Sequence, residues 1–216
     1  MDIFGSLYSV YTCMPTSSAS KIFLKFVRDT CRKNGVKVRI GRGKTVNMKP
    51  FGFMVSGYFD EEERILCCAR GNSESSFMAT LVHEFAHVLQ WIDDDKTYKF
   101  CNHRKYGSVQ SAVCMWINNE ITIKNRWLID YTSKMIACEL NAERRAVKMI
   151  KQFNLPIDLD RYSKNASAVL YSYWLTIKKK QWDFIIGPKQ MEASGSSLRR
   201  SFRSLPKNVE RSFCEA

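Results

Sequence analysis

His83-Glu84-Phe85-Ala86-His87 is the run in this chain whose residue types and spacing most directly suggest chemistry. There are only three histidines in 216 residues, and two of them stand four apart with a glutamate beside the first. On a helix of 3.6 residues per turn, His83 and His87 project from one face, so two imidazoles can reach one ion. Glu84 sits roughly 100° further round, close enough to contact a water on that ion without ligating it. Zn2+ held in this way lowers the pKa of its water towards ~7, and the glutamate accepts the proton during attack on a carbonyl. Were these three side chains ordinary helix residues, their polar groups would still need partners on an otherwise apolar helix.

A catalytic zinc takes a third protein ligand and keeps one position open. The candidates are Asp93, Cys101, His103, Cys138, Glu139 and Glu143. Asp93 stands where a metzincin carries its third ligand, but Gln90 replaces the glycine that lets such a chain turn back. His103 lies in the polar run Cys101-Asn102-His103-Arg104-Lys105. The strongest candidate is Glu139, which lies four residues before Glu143 in a segment of helical periodicity. One can ligate the ion while the other accepts the N–H of a ligating histidine. The competing reading is an exposed face in which they pair with basic neighbours such as Lys148. Tyr131, Tyr106, His103 and Arg144 are candidates for stabilising an oxyanion.

The elements that must position these residues can be read from the pattern. Residues 17–34 predict a helix capped by Ser17 or Ser18 and stopped by Gly35. Val36, Val38 and Ile40 alternate as in a half-buried strand, and 51–55 form another extended segment. Residues 64–69 predict a strand that pairs across the acidic turn at 60–63. Residues 75–91 are apolar round much of the circumference, as in a buried helix, which the three aspartates at 93–95 end. A loop over 96–107, a helix near 108–118, a long helix from about 132 to 153 and another from about 158 to 180 follow.

Composition bounds the class. Hydrophobic residues make up 45% and charged residues 25%, the balance of a globular domain. No apolar run is long enough to span a membrane, and the N-terminus lacks the basic start of a secretory signal. Intracellular residence is the expectation. The eight cysteines include no Cys-x-x-Cys pair, which fits reduced thiols. A net charge of +13 predicts some attraction to anionic partners. Residues 1–16 are expected to be a lead-in and 17–187 the domain. Residues 188–216, with six Lys or Arg and many serines, are expected to be a flexible basic tail. That tail and Lys178-Lys179-Lys180 could contact an acidic partner or nucleic acid.

His83-Glu84-x-x-His87 followed by Glu139-x-x-x-Glu143 resembles the gluzincin metallopeptidases. The run from Glu139 to Ala146 resembles the Glu-x-x-Ala-Asn-x-x-Ala segment of the compact ImmA/IrrE-type members, with Glu143 in place of the Asn. Over about residues 60–185 the chain looks most like small HExxH proteins of large tailed phages, which would place it in a host cytoplasm. The resemblance implies an α+β, minimal zincin-like fold: a helix, a small twisted sheet, the buried motif helix, then C-terminal helices. It implies His83, His87 and Glu139 as zinc ligands, Glu84 as general base, Glu143 as support for a histidine, and a protein or peptide substrate. Such a substrate often adds as a strand to the sheet edge above the metal, here expected at 64–70. IrrE-like domains attached to regulators supply the alternative, a catalytically silent sensor or binding protein on the same fold. The 51 residues between His87 and Glu139 exceed the spacing of the shortest ImmA-type domains, which implies an insertion at 92–130.

Overall fold

The computed structural model describes residues 17–48, 53–71, 73–182, 186–198 and 202–214. The expected lead-in, 1–16, lies outside them. The architecture is α+β, as the sequence predicts. Helix α1 (Ser18–Lys33) starts at Ser17, whose side chain accepts from the Ser20 backbone N–H. It ends before Gly35, which takes the positive φ of 71° that favours glycine. Strand β1 (Lys37–Gly41) follows, then a hairpin of β2 (Val46–Met48) and β3 (Phe53–Val55). Strands β4 (Gly57–Asp60) and β5 (Ile65–Ala69) pair antiparallel across the acidic turn, and β5 pairs parallel with β1.

The three-stranded sheet therefore has the order β1-β5-β4. This corrects one expectation. The strand at 65–69 is the central one, buried along its whole length; β1 and β4 are the edges, and β4 is the one that lines the cleft beside the motif helix. A five-residue apolar run such as Ile65-Leu-Cys-Cys-Ala69 lacks the alternation of a strand with a solvated face.

Helix α2 (Glu74–Ile92) carries the motif. The Ser73 side chain caps it, and Glu74 reaches back to the Ser17 backbone N–H at 2.7 Å, which ties the starts of α1 and α2 together. Met78, Leu81, Val82, Phe85, Ala86 and Val88 are fully buried among the sheet, α1 and the long helix α5 (Asn125–Phe153). The Phe85 ring meets those of Phe23 and Phe26 edge-on. Ala142 and Ala146 of α5 are wholly buried, and their small side chains let α5 lie close against α2.

The expected insertion builds structure of its own. The stretch expected as a loop holds α3 (Lys96–Lys99) and a short hairpin of β6 (Asn102–His103) and β7 (Gly107–Ser108), and the helix expected near 108–118 is α4 (Val109–Ile117). Helix α5 begins seven residues before the expected start and ends with Asn154 at a left-handed C-cap. Helix α6 (Leu159–Lys179) is capped by the Asp158 side chain.

The largest departure from the sequence reading is the stretch after Gly187. It forms α7 (Pro188–Ser194) and α8 (Lys207–Cys214) where a flexible basic tail was expected. Leu198, Phe202 and Val209 are buried against Ile136, Leu170 and Tyr171. The Trp174 indole N–H donates to the Phe202 carbonyl at 2.6 Å. Leu198, Phe202, Leu205, Val209 and Phe213 recur every three or four residues. That periodicity is enough to cover the outer face of α5 and α6, although the average composition is polar and basic.

Candidate metal centre

Helices α2 and α5 face each other across the centre, and each contributes residues four apart. His83 Nε2 lies 3.6 Å and His87 Nε2 3.5 Å from Glu139 Oε2. All three ligand atoms lie within 4.8 Å of one another. Ligands held about 2.0–2.1 Å from a tetrahedral ion stand about 3.3 Å apart, so the two histidine–carboxylate separations suit zinc. Two neutral nitrogens and one carboxylate oxygen also form a donor set that zinc accepts. The three side chains keep 13–23% of their surface exposed, towards a cleft of about 790 Å³. That opening leaves room for a substrate or water on the same side.

Each imidazole of this group has a second partner behind it. His83 Nδ1 lies 3.1 Å from Glu143 Oε1 in an ion pair rather than a well-aligned hydrogen bond. Glu143 is buried, and its other oxygen accepts the Tyr162 hydroxyl at 2.6 Å. His87 Nδ1 lies 2.8 Å from Gln90 Oε1. The Gln90 amide N–H₂ donates to the Cys138 carbonyl at 2.9 Å and to Asn141 Oδ1 at 3.0 Å. If His87 binds metal through Nε2, the proton sits on Nδ1 and is donated to Gln90.

The electrostatics follow from three carboxylates gathered around two imidazoles. Burial alone would lower the pKa of His83, but Glu143, Glu84 and Glu139 outweigh it and raise it to about 10. His87 is raised too, against the effect of burial, mainly by Glu139. Glu139 is held down at about 2 despite burial, because both histidines favour its charged form. Glu84 moves the other way: burial raises it, and the two imidazoles only partly offset this. A carboxylate raised in this manner takes up a proton more readily than an exposed one.

Gly57 lets the edge strand approach this carboxylate. A Cβ there would fall 2.7 Å from Thr80 Cγ2, 3.0 Å from Glu84 Cγ and 3.1 Å from the Cys67 carbonyl. The backbone of β4 thus runs directly alongside Glu84, an approach that only glycine permits.

The other candidates from the sequence are placed elsewhere. Asp93 pairs with Arg145 at 2.5 Å, and Arg145 also reaches Asp95 at 3.0 Å, so this triad ties the end of α2 to α5. His103 is bound to the Tyr131 hydroxyl at 2.8 Å and stacks on Tyr106. Its Nδ1 accepts from the backbone N–H groups of Lys105 and Tyr106, which leaves the proton on Nε2. Cys101 and Cys138 line the cleft but are not in the ligand group. Arg144 donates to the Leu198 carbonyl. Tyr106 alone among the proposed oxyanion stabilisers lines the cleft, together with Tyr58, Tyr98 and Tyr173, which the sequence did not single out.

Gln90 and Tyr162 were also missed as supports. Gln90 had a detectable signal: it stands three residues past His87 and seven past His83, on the helix face that carries both histidines. Tyr162 had none, because its proximity to Glu143 depends on how α6 packs against α5. No protein-family model, curated protein or solved structure matches this chain.

Proposed function

We propose that this chain is a zinc-dependent hydrolase acting on peptide bonds. The observation that carries the proposal is the convergence of His83 Nε2, His87 Nε2 and Glu139 Oε2, with the motif helix also carrying Glu84, a half-buried carboxylate whose pKa burial raises. His83, His87 and Glu139 would hold the ion. When bound, zinc polarises a carbonyl and acidifies its water. Glu84 takes up the proton released from the attacking water and returns it to the leaving amine. Glu143 and Gln90 fix the two imidazole rings. The free edge of β4, beside Glu84, offers backbone groups with which an extended peptide can pair.

Metal analysis of the purified chain and of three variants tests this reading. Glu84→Gln should keep its zinc and lose about 10²–10⁴-fold in chelator-sensitive peptide cleavage, the usual contribution of a general base. Glu139→Ala should lose most of its zinc, and His103→Ala should retain it. Undiminished cleavage by Glu84→Gln, or metal stripped by His103→Ala alone, would overturn the assignment.

A further inference from the structure

The cleft has a charge opposite to that of the protein around it. The chain carries 34 Lys and Arg against 21 Asp and Glu, yet among the described residues no lysine or arginine lines the cleft. Glu61, Glu84, Glu120 and Glu139 do line it, so it stays negative even with a bound dication. Glu84 and Glu139 are already assigned roles at the metal. Glu61 is not part of that centre, and it forms no ion pair among the described residues.

Glu61 follows directly on β4, just past Asp60, and is half-buried. Tyr98 lines the same cleft, and burial and the Glu61 charge hold its phenol well above its ordinary pKa, so it stays a donor. The Tyr98 ring centroid lies 6.4 Å from that of His87. A carboxylate therefore stands at the end of β4, in a cleft that the Tyr58 and Tyr98 rings also line. Aromatic faces with a carboxylate at the end suit a long side chain that ends in a cation. Glu61 lies four residues beyond Gly57, a reach of about 13 Å along a strand.

We propose that Glu61 selects substrates carrying a lysine or arginine within about four residues of the scissile bond. This rests on the peptidase reading for the word substrate, but not for the binding itself. It also runs against the bulk charge, because a chain of +13 left to long-range attraction would favour acidic peptides.

The test uses fluorescent octapeptides that differ only in one residue, Lys, Leu or Glu, walked through successive positions. Binding to the full chain is read by anisotropy with and without zinc, and cleavage is read in parallel. At one or two positions the Lys peptide should bind about three- to tenfold more tightly than the Leu peptide, and the Glu peptide less tightly than either. Glu61→Gln should abolish that ratio, and Glu61→Lys should reverse it. A preference for Glu peptides in the unmodified chain overturns the proposal, as does a Lys preference that survives Glu61→Gln. Glu61-dependent binding without any cleavage would overturn the peptidase reading and leave the selectivity standing. Cleavage with no dependence on Glu61 would do the reverse.

Discussion

The two histidines of the centre are supported in different ways. His83 backs onto Glu143, a buried carboxylate that is itself fixed by the Tyr162 hydroxyl. His87 backs onto Gln90, a neutral amide whose N–H₂ is held by the Cys138 carbonyl and Asn141. A carboxylate behind an imidazole both orients the ring and makes its metal-binding nitrogen more basic, whereas an amide mainly orients it. The His83 side is therefore the electrostatic support of the site and the His87 side the geometric one. The contrast also extends along the chain. Gln90 lies on the same helix as its histidine, while Glu143 and Tyr162 come from α5 and α6.

Removing the charge on the His83 side should have the largest effect. Glu143→Ala is expected to weaken zinc binding about 10–100-fold, the usual range for loss of an outer-shell carboxylate. Glu143→Gln should fall between it and the unmodified chain, because the amide still positions the ring. Isothermal titration against a competing chelator reads both. The same titrations, in buffers of different ionisation enthalpy, report protons. In the metal-free chain His83 is raised from its ordinary 6.5 to about 10, so at pH 7.5 it is charged and must lose a proton when zinc binds. Zinc affinity should fall as pH falls, and Glu143→Ala should release fewer protons at pH 7.5. The charged His83 stabilises the metal-free fold fully below pH 6.5, and this contribution disappears as pH rises towards 10.

The neutral side should respond less in metal binding and more in folding. Gln90→Ala is expected to weaken zinc binding by up to about tenfold, because His87 loses its orienting partner but no nearby charge changes. The side chain is fully buried, so its loss also leaves the Cys138 carbonyl and Asn141 without that donor. A cost of about 1–3 kcal/mol in the stability of the metal-free chain follows, measurable by urea unfolding. If Gln90→Ala lowered zinc affinity as much as Glu143→Ala, the division between electrostatic and geometric support would fail.

How much of this was legible in the sequence depended on whether the relevant signal was local. His83, Glu84 and His87 could be read from their spacing, because a helix fixes which side chains share a face. The pairing of β4 with β5 could be read from the acidic turn between them. Glu139 and Glu143 were legible as an i, i+4 pair on a helical segment, which made Glu139 the strongest third-ligand candidate, and the resemblance to gluzincins added the support role of Glu143. Which strand formed the sheet edge was not legible, since a short apolar run does not say what lies on either side of it. The helices after Gly187 were missed because five apolar residues at three- and four-residue spacing do little to an average composition dominated by Ser, Lys and Arg. Glu61 carries no local signal at all, being one of three consecutive glutamates in a turn. Only the cleft distinguishes it from its neighbours.

Tyr162→Phe is the smallest change and bears on how Glu143 itself is held. The substitution removes one hydroxyl that donates to a buried carboxylate at 2.6 Å and alters nothing else in shape. Burial and the Glu143 charge keep this phenol well above its ordinary pKa, so it is a donor across the working pH range. Without it, Glu143 keeps its charge and its place on α5 but loses the contact that stops its carboxylate from rotating. A hydrogen bond to a charged group is worth about 1.5–3 kcal/mol, most of which should appear as lost stability of the metal-free chain. Zinc affinity should fall only about two- to fivefold, because the His83 partner is loosened rather than removed. A fall as large as that of Glu143→Ala would mean that Tyr162, not the packing of α5 against α2, sets the carboxylate's position. The electrostatic support of His83 would then depend on α6 as much as on the two helices that carry the ligands.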